Sequence, residues 1–137
     1  MEFVSFYLAK KLKEKGLSCK YPLAMYNERG SFCPLFTSAN RNPNIRSVFG
    51  NREYYDYDDF DEKDFIAPTI EQVLEWLREA KRIDAGAVWD NRDGKWIGYI
   101  NEMDMPDLVG EYVLPNTYDA YEQSAIAGIE YVVNNLI

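Results

Sequence analysis

The residues best placed to do chemistry lie in one short run, Glu53, Tyr54, Tyr55, Asp56, Tyr57, Asp58, Asp59, Phe60, Asp61 and Glu62. Carboxylates this dense suggest an oxygen-ligand site for calcium, or an enzyme that uses acidic residues. The calcium reading can be checked by spacing. An EF-hand loop needs oxygen ligands at positions 1, 3 and 5, glycine at 6 and glutamate at 12. Counting from Asp56 puts Phe60 at position 5, Asp61 at 6 and Ala67 at 12, and counting from Asp59 puts Lys63 at 5. Neither frame fits, so the expectation is no metal site and no cofactor. What remains is recognition. Tyr54, Tyr55 and Tyr57 offer amphipathic contact area, and Asp56, Asp58, Asp59 and Asp61 beside them suit a basic surface. These seven residues are the expected binding site.

Other chemistry is excluded more firmly. The chain has no histidine, which removes Ser-His-Asp and Cys-His catalysis, a histidine general base and the ordinary His/Cys zinc site. Neither of the standard glycine-rich phosphate loops occurs. Trp76, Trp89 and Trp96 are candidates for a stacking platform, although aromatic residues on helix faces and strands more often serve the core. Arg41, Arg46 and Arg52 together with Lys10 to Lys15 could meet phosphate, but the pI of about 4.6 argues against nucleic acid.

The elements that must hold these residues follow from local signals. Ser5 caps a first helix running to about Lys15, with Val4, Leu8, Ala9 and Leu12 inward and Gly16 as its stop. Residues 22–36 read as a β-hairpin turning at Gly30, with Pro22 and Pro34 confining its ends to edge positions. Residues 37–66 read as irregular, and so long a connection is usually functional or mobile. Thr69 and Gln72 form a capping box opening a helix from about Thr69 to Arg82, with Ile70, Val73, Leu74 and Leu77 on one face. A second hairpin spans residues 87–100 with Asp93 and Gly94 at its tip. The run Tyr112, Val113, Leu114 suggests one more strand. Asn116 or Thr117 then caps a last helix to about Asn135, facing inward at Tyr118, Tyr121, Ala125, Ile129, Val132 and Leu136. Within it, Gly128 implies close packing against a neighbouring element.

A length of 137 residues fits one domain, and 47% hydrophobic residues suffice for a core. No apolar run approaches the ~20 residues of a spanning helix, and the N-terminus lacks the features of a signal peptide. Cys19 and Cys33 form no Cys-x-x-Cys pair, so a reducing, cytoplasmic setting is expected. The net charge of −8 is uneven: residues 1–52 carry nine Lys or Arg against three Glu, and the remainder six against twenty acids.

The order Val4, Ser5, Leu8, Ala9, Lys10 to Lys13, Gly16, then Pro68, Thr69, Val73, Trp76, Leu77, then Tyr118, Tyr121, Ala125, Ile126 and a chain end at Ile137 resembles a group of small proteins. These are encoded by Bacteroides-type bacteria and by their phages and other mobile elements. The resemblance spans nearly the whole chain, but its residues cap and pack, so it implies a fold and no activity. Members often place a histidine just after the tryptophan-bearing helix, where this chain has Ala80, Lys81 and Arg82.

The resulting expectation is a single α+β domain ordered helix, hairpin, helix, hairpin, helix. It would have one antiparallel sheet of four or five strands and helices mainly on one face. The expected function is a non-catalytic, phage-related accessory protein that binds a protein partner with a basic surface, away from membranes. Alternatives are an acidic decoy or immunity-type inhibitor of a basic enzyme, and a small carboxylate-dependent enzyme.

Overall fold

The computed structural model describes residues 2–35, 60–105 and 110–137. Among them the chain is α+β, with three helices and two antiparallel three-stranded sheets. Its contacts gather into two compact units, residues 3–72 and 73–137.

The first unit opens with α1 (Phe6–Glu14). The Ser5 hydroxyl accepts from Leu8 N at 3.2 Å, as its position before the helix predicts. At the other end Gly16 adopts φ +84°. Its N–H donates to Lys13 O and that of Leu17 to Leu12 O, both at 3.1 Å, which is the Schellman arrangement. Leu8, Ala9 and Leu12 are buried. A sheet of order β2-β1-β3 follows, built from β1 (Ala24–Tyr26), β2 (Phe32–Pro34) and β3 (Phe65–Ile66). The side chain of Asn27 shapes the β1–β2 turn by accepting from Arg29 N at 2.9 Å and Ser31 N at 3.0 Å. Pro34 sits on the outer strand, where its missing donor costs no ladder bond.

Helix α2 (Ile70–Ala80) starts at the expected capping box. Thr69 N donates to Gln72 Oε1 at 3.0 Å, and Gln72 N to Thr69 Oγ1 at 3.2 Å. The same glutamine uses its amide nitrogen on Lys20 O (3.3 Å) and Tyr21 O (3.0 Å). Tyr21 has φ +57°, a left-handed conformation that a non-glycine residue adopts at a cost. The boundary between the two units falls within α2.

The second unit holds β4 (Ile83–Asp90), β5 (Lys95–Glu102), β6 (Glu111–Tyr118) and α3 (Tyr121–Asn135), in sheet order β4-β5-β6. The β4–β5 turn is residues 91–94, with Gly94 at φ +62° and Gly94 N donating to Asp90 O at 2.9 Å. Helix α3 lies on one face of the sheet. Trp96 touches Tyr121, Tyr112 touches Tyr131, and a Cβ on Gly98 would meet Ser124 O. Gly128 crosses the backbone of Gly86, which satisfies the close approach expected there.

Two expectations are corrected. The described strands divide between two sheets of three, where one sheet of four or five was expected, because β1 recruits the two-residue β3 as its second neighbour. Asn116 and Thr117 do not cap the last helix. A register shift between Ile97 and Tyr99 carries β6 past Pro115, so that Thr117 pairs with Ile97 and Tyr118 with Trp96. Ala120 occupies the cap position without a side-chain bond.

Candidate functional site

Of the seven expected binding residues, Tyr54, Tyr55, Asp56, Tyr57, Asp58 and Asp59 lie outside the described residues. Asp61 is described and exposed. Its Oδ1 accepts from Lys63 N at 3.0 Å and its carbonyl from Asp64 N at 2.9 Å, so the side chain shapes a turn. Lys13 fastens this turn to α1, donating to Asp64 O at 3.0 Å and to Glu62 O while lying 4.7 Å from the Phe65 ring centroid. Asp61 borders an open depression of about 300 Å³ with Asn27, Glu28, Arg29, Lys63 and Asp64. Three carboxylates and two cations line it, a mixed surface with no preference for one sign of charge. Among the described residues no group of three or more His, Cys, Asp or Glu is arranged to hold a metal ion.

A clearer site emerges from the parity of the second unit's strands. Side chains alternate between faces along a strand. Trp96, Gly98 and Ile100 point toward α3, so Ile97 and Tyr99 point the other way. Their cross-strand partners share that face: Val88 opposite Ile97, and Val113 opposite Tyr99. The face away from α3 therefore carries Val88, Ile97, Tyr99 and Val113 on three adjacent strands. Val88 is 45% exposed and Val113 63%.

Charged groups border this apolar strip. Asp84 precedes it on β4, where Tyr99 donates its hydroxyl to Asp84 Oδ2 at 3.4 Å and Arg78 Nη1 lies 3.8 Å from Asp84 Oδ1. Burial pushes the Tyr99 phenol above its ordinary value, and the Asp84 carboxylate adds to the effect. The tyrosine thus stays a neutral donor to the aspartate. Asp90 and Glu111 stand at other ends of the same three strands, Asp90 directly opposite Lys95, which is itself paired with Asp119.

The three tryptophans do not make one platform. Trp76 is buried on α2 with Lys81 5.5 Å from its ring centroid. Trp89 and Trp96 are directly opposite across β4 and β5, on the α3 side, at a centroid separation of 5.3 Å.

Sequence reasoning missed the strip Val88, Ile97, Tyr99 and Val113. Its signal was the run Trp96, Ile97, Tyr99, Ile100, which is apolar at both parities. A strand with one solvated face alternates apolar with polar. This one does not, and that marks a second face with something to meet.

No family model, curated protein or solved structure matches the chain. Among the described residues no helix is long and apolar enough to cross a membrane.

Proposed function

We propose that this protein is a non-catalytic accessory protein of phage or mobile-element origin that binds a basic protein partner in the cytoplasm. The observation that carries the reading is the exposed aliphatic face of the β4–β5–β6 sheet. Contiguous apolar surface rimmed by charge is the usual mark of an interaction site. An antiparallel sheet covered by a helix on one side ordinarily turns polar side chains to water on the other. Val88 and Val113 suit the strand backbone whether or not they are covered, and with Ile97 and Tyr99 they also offer apolar area for a partner to bury. The acids at its border, with the carboxylates of residues 53–64, favour a positively charged partner and would steer its approach. A decoy or immunity-type role is the case in which that partner is a basic enzyme.

Affinity capture from the native host tests the reading, using the wild-type protein and a Val88→Lys/Val113→Lys variant. Both positions are exposed, so the variant should keep its thermal midpoint. The expected result is a protein retained by the wild type and lost by the variant. Retention by both, or by neither, would refute this face as the binding surface.

A further inference from the structure

Strand β4 is outermost in the order β4-β5-β6, and its register with β5 runs unbroken from Ile83 to Asp90 with no proline in it. Arg82 O accepts from Met103 N and Asp90 O from Gly94 N, both at 2.9 Å, so the even-numbered residues turn their backbone groups toward β5. Antiparallel ladders alternate, and Ile83, Ala85, Ala87 and Trp89 therefore turn N–H and C=O outward. Among the described residues no backbone hydrogen bond reaches β4 from that outer side. Ile83, Ala85 and Gly86 are buried, Ala87 and Asp90 half-buried, and Val88 and Trp89 exposed. The accessible part of the edge is thus short, residues 87–90.

An unpaired edge is a template for another strand, and this one fits a second copy of itself in one antiparallel register. Residues directly opposite each other share a face of the sheet. With Val88 on a twofold axis, Val88 faces Val88 of the second copy and the two aliphatic strips meet. On the other face Trp89 lies against Ala87 of the second copy, a large side chain beside a small one. Asp90 falls opposite Gly86, which has no side chain to oppose it. Ala87 and Trp89 carry the outward backbone groups in both copies, so they form reciprocal hydrogen-bonded pairs. The neighbouring registers fit less well. With Ala87 on the axis Asp84 opposes Asp90, and like charges directly across a ladder are destabilising. With Trp89 on the axis Val88 opposes Asp90, an aliphatic side chain against a carboxylate.

We propose that this protein forms a twofold dimer by antiparallel pairing of the β4 edges of two copies, with Val88 on the axis. The contact is isologous, and it joins the two β4-β5-β6 sheets into one. An edge running from Gly86 to Asp90 buries far less than the ~1,200–2,000 Å² of stable complexes, so the dimer is weak and forms at high protein concentration. Each copy carries a net charge of −8, so added salt should strengthen the pairing by screening the repulsion. A basic partner steered by the acids responds to salt in the opposite direction. The dimer needs no such partner.

The test is sedimentation equilibrium of the full chain up to the millimolar range, at low and high salt, with amide exchange followed by NMR. The expected result is a monomer–dimer equilibrium strengthened by salt. The Ala87 and Trp89 amides should exchange more slowly as concentration rises. Because Val88 meets its own copy, Val88→Lys and Val88→Glu should each weaken association by about five- to tenfold, and an equimolar mixture of the two should restore it. The position is exposed, so both variants should keep the thermal midpoint. Val113→Lys, on β6, should dimerise as the wild type does. A wild type that stays monomeric throughout would overturn the proposal, as would a dimer unchanged by Val88→Lys or a mixture that associates no better than its components. Dimerisation that persists while host capture fails would refute the partner surface and leave the β4 pairing standing.

Discussion

Replacing Gln72 with glutamate separates this helix start from a generic one. In a capping box the two residues are interchangeable, because each places an acceptor on the N-cap N–H. Glutamate would even gain about 0.3–1 kcal/mol from the helix dipole. Here the side-chain amide has a second duty. Its Nε2 donates to Lys20 O and Tyr21 O, at 3.3 and 3.0 Å. A carboxylate would lose both bonds, at roughly 0.5–1.5 kcal/mol each, and would set negative charge against two carbonyl oxygens. It would also release Tyr21 from the contacts that hold its left-handed backbone. The net expectation is a loss of about 1–2 kcal/mol at neutral pH. Facing carbonyls, the introduced carboxyl should have its folded-state pKa raised. The penalty is then full above that value and relieved as pH falls through it, because the protonated oxygen can donate. Urea denaturation at neutral and mildly acidic pH measures both effects. Thr69→Ala is the reference, at roughly 1 kcal/mol for the cap alone. A Gln72→Glu variant as stable as the wild type at neutral pH would show that the two amide-nitrogen bonds contribute nothing.

Two glycines in the second unit should respond oppositely to alanine. A Cβ on Gly128 would come no closer than 3.6 Å to its nearest neighbour, Gly86 O, so Gly128→Ala should stabilise by about 0.5–1 kcal/mol through helix propensity. A Cβ on Gly98 would sit 3.0 Å from Leu114 Cδ1 and 3.2 Å from Ser124 O, so Gly98→Ala should destabilise by about 1–3 kcal/mol in the same denaturation assay. Tyr112 should titrate late. Burial first, then the neighbouring Tyr131 and Glu102, push its phenol up to about 12. A phenol raised in the fold contributes stability below its ordinary value near 10, and that contribution is lost as pH rises from there toward 12. Spectrophotometric titration should show a late-ionising tyrosine that disappears in Tyr112→Phe.

What was legible in the sequence was local. Ser5, Gly16, the Thr69–Gln72 box and the Asp93–Gly94 turn each act within a few residues of themselves, and each formed as read. The start of α3 was misplaced because Pro115, Asn116 and Thr117 look like a stop followed by a cap. Only the shifted pairing with β5 shows that they belong to a strand, and Ala120 carries no capping signature. Strand β3 was invisible for a related reason: two residues have no periodicity, and their pairing with β1 is set by distant chain. Division of the strands between two sheets is likewise a non-local outcome. As for the site, acidic density drew the reading to residues 54–61. The aliphatic face needs the register of three strands before its four residues can be seen together.

Pro115 has a consequence for how the protein behaves in a crowded solution. It sits within β6, the outermost described strand on its side of the sheet, and beside the register shift. A foreign strand approaching that edge would find one donor missing and the ladder out of step. Growth of the sheet by edge-to-edge polymerisation is therefore disfavoured on this side, although the neighbouring face is apolar. The proline lets the unit expose a sticky surface while refusing the backbone pairing through which such surfaces most often lead to fibres.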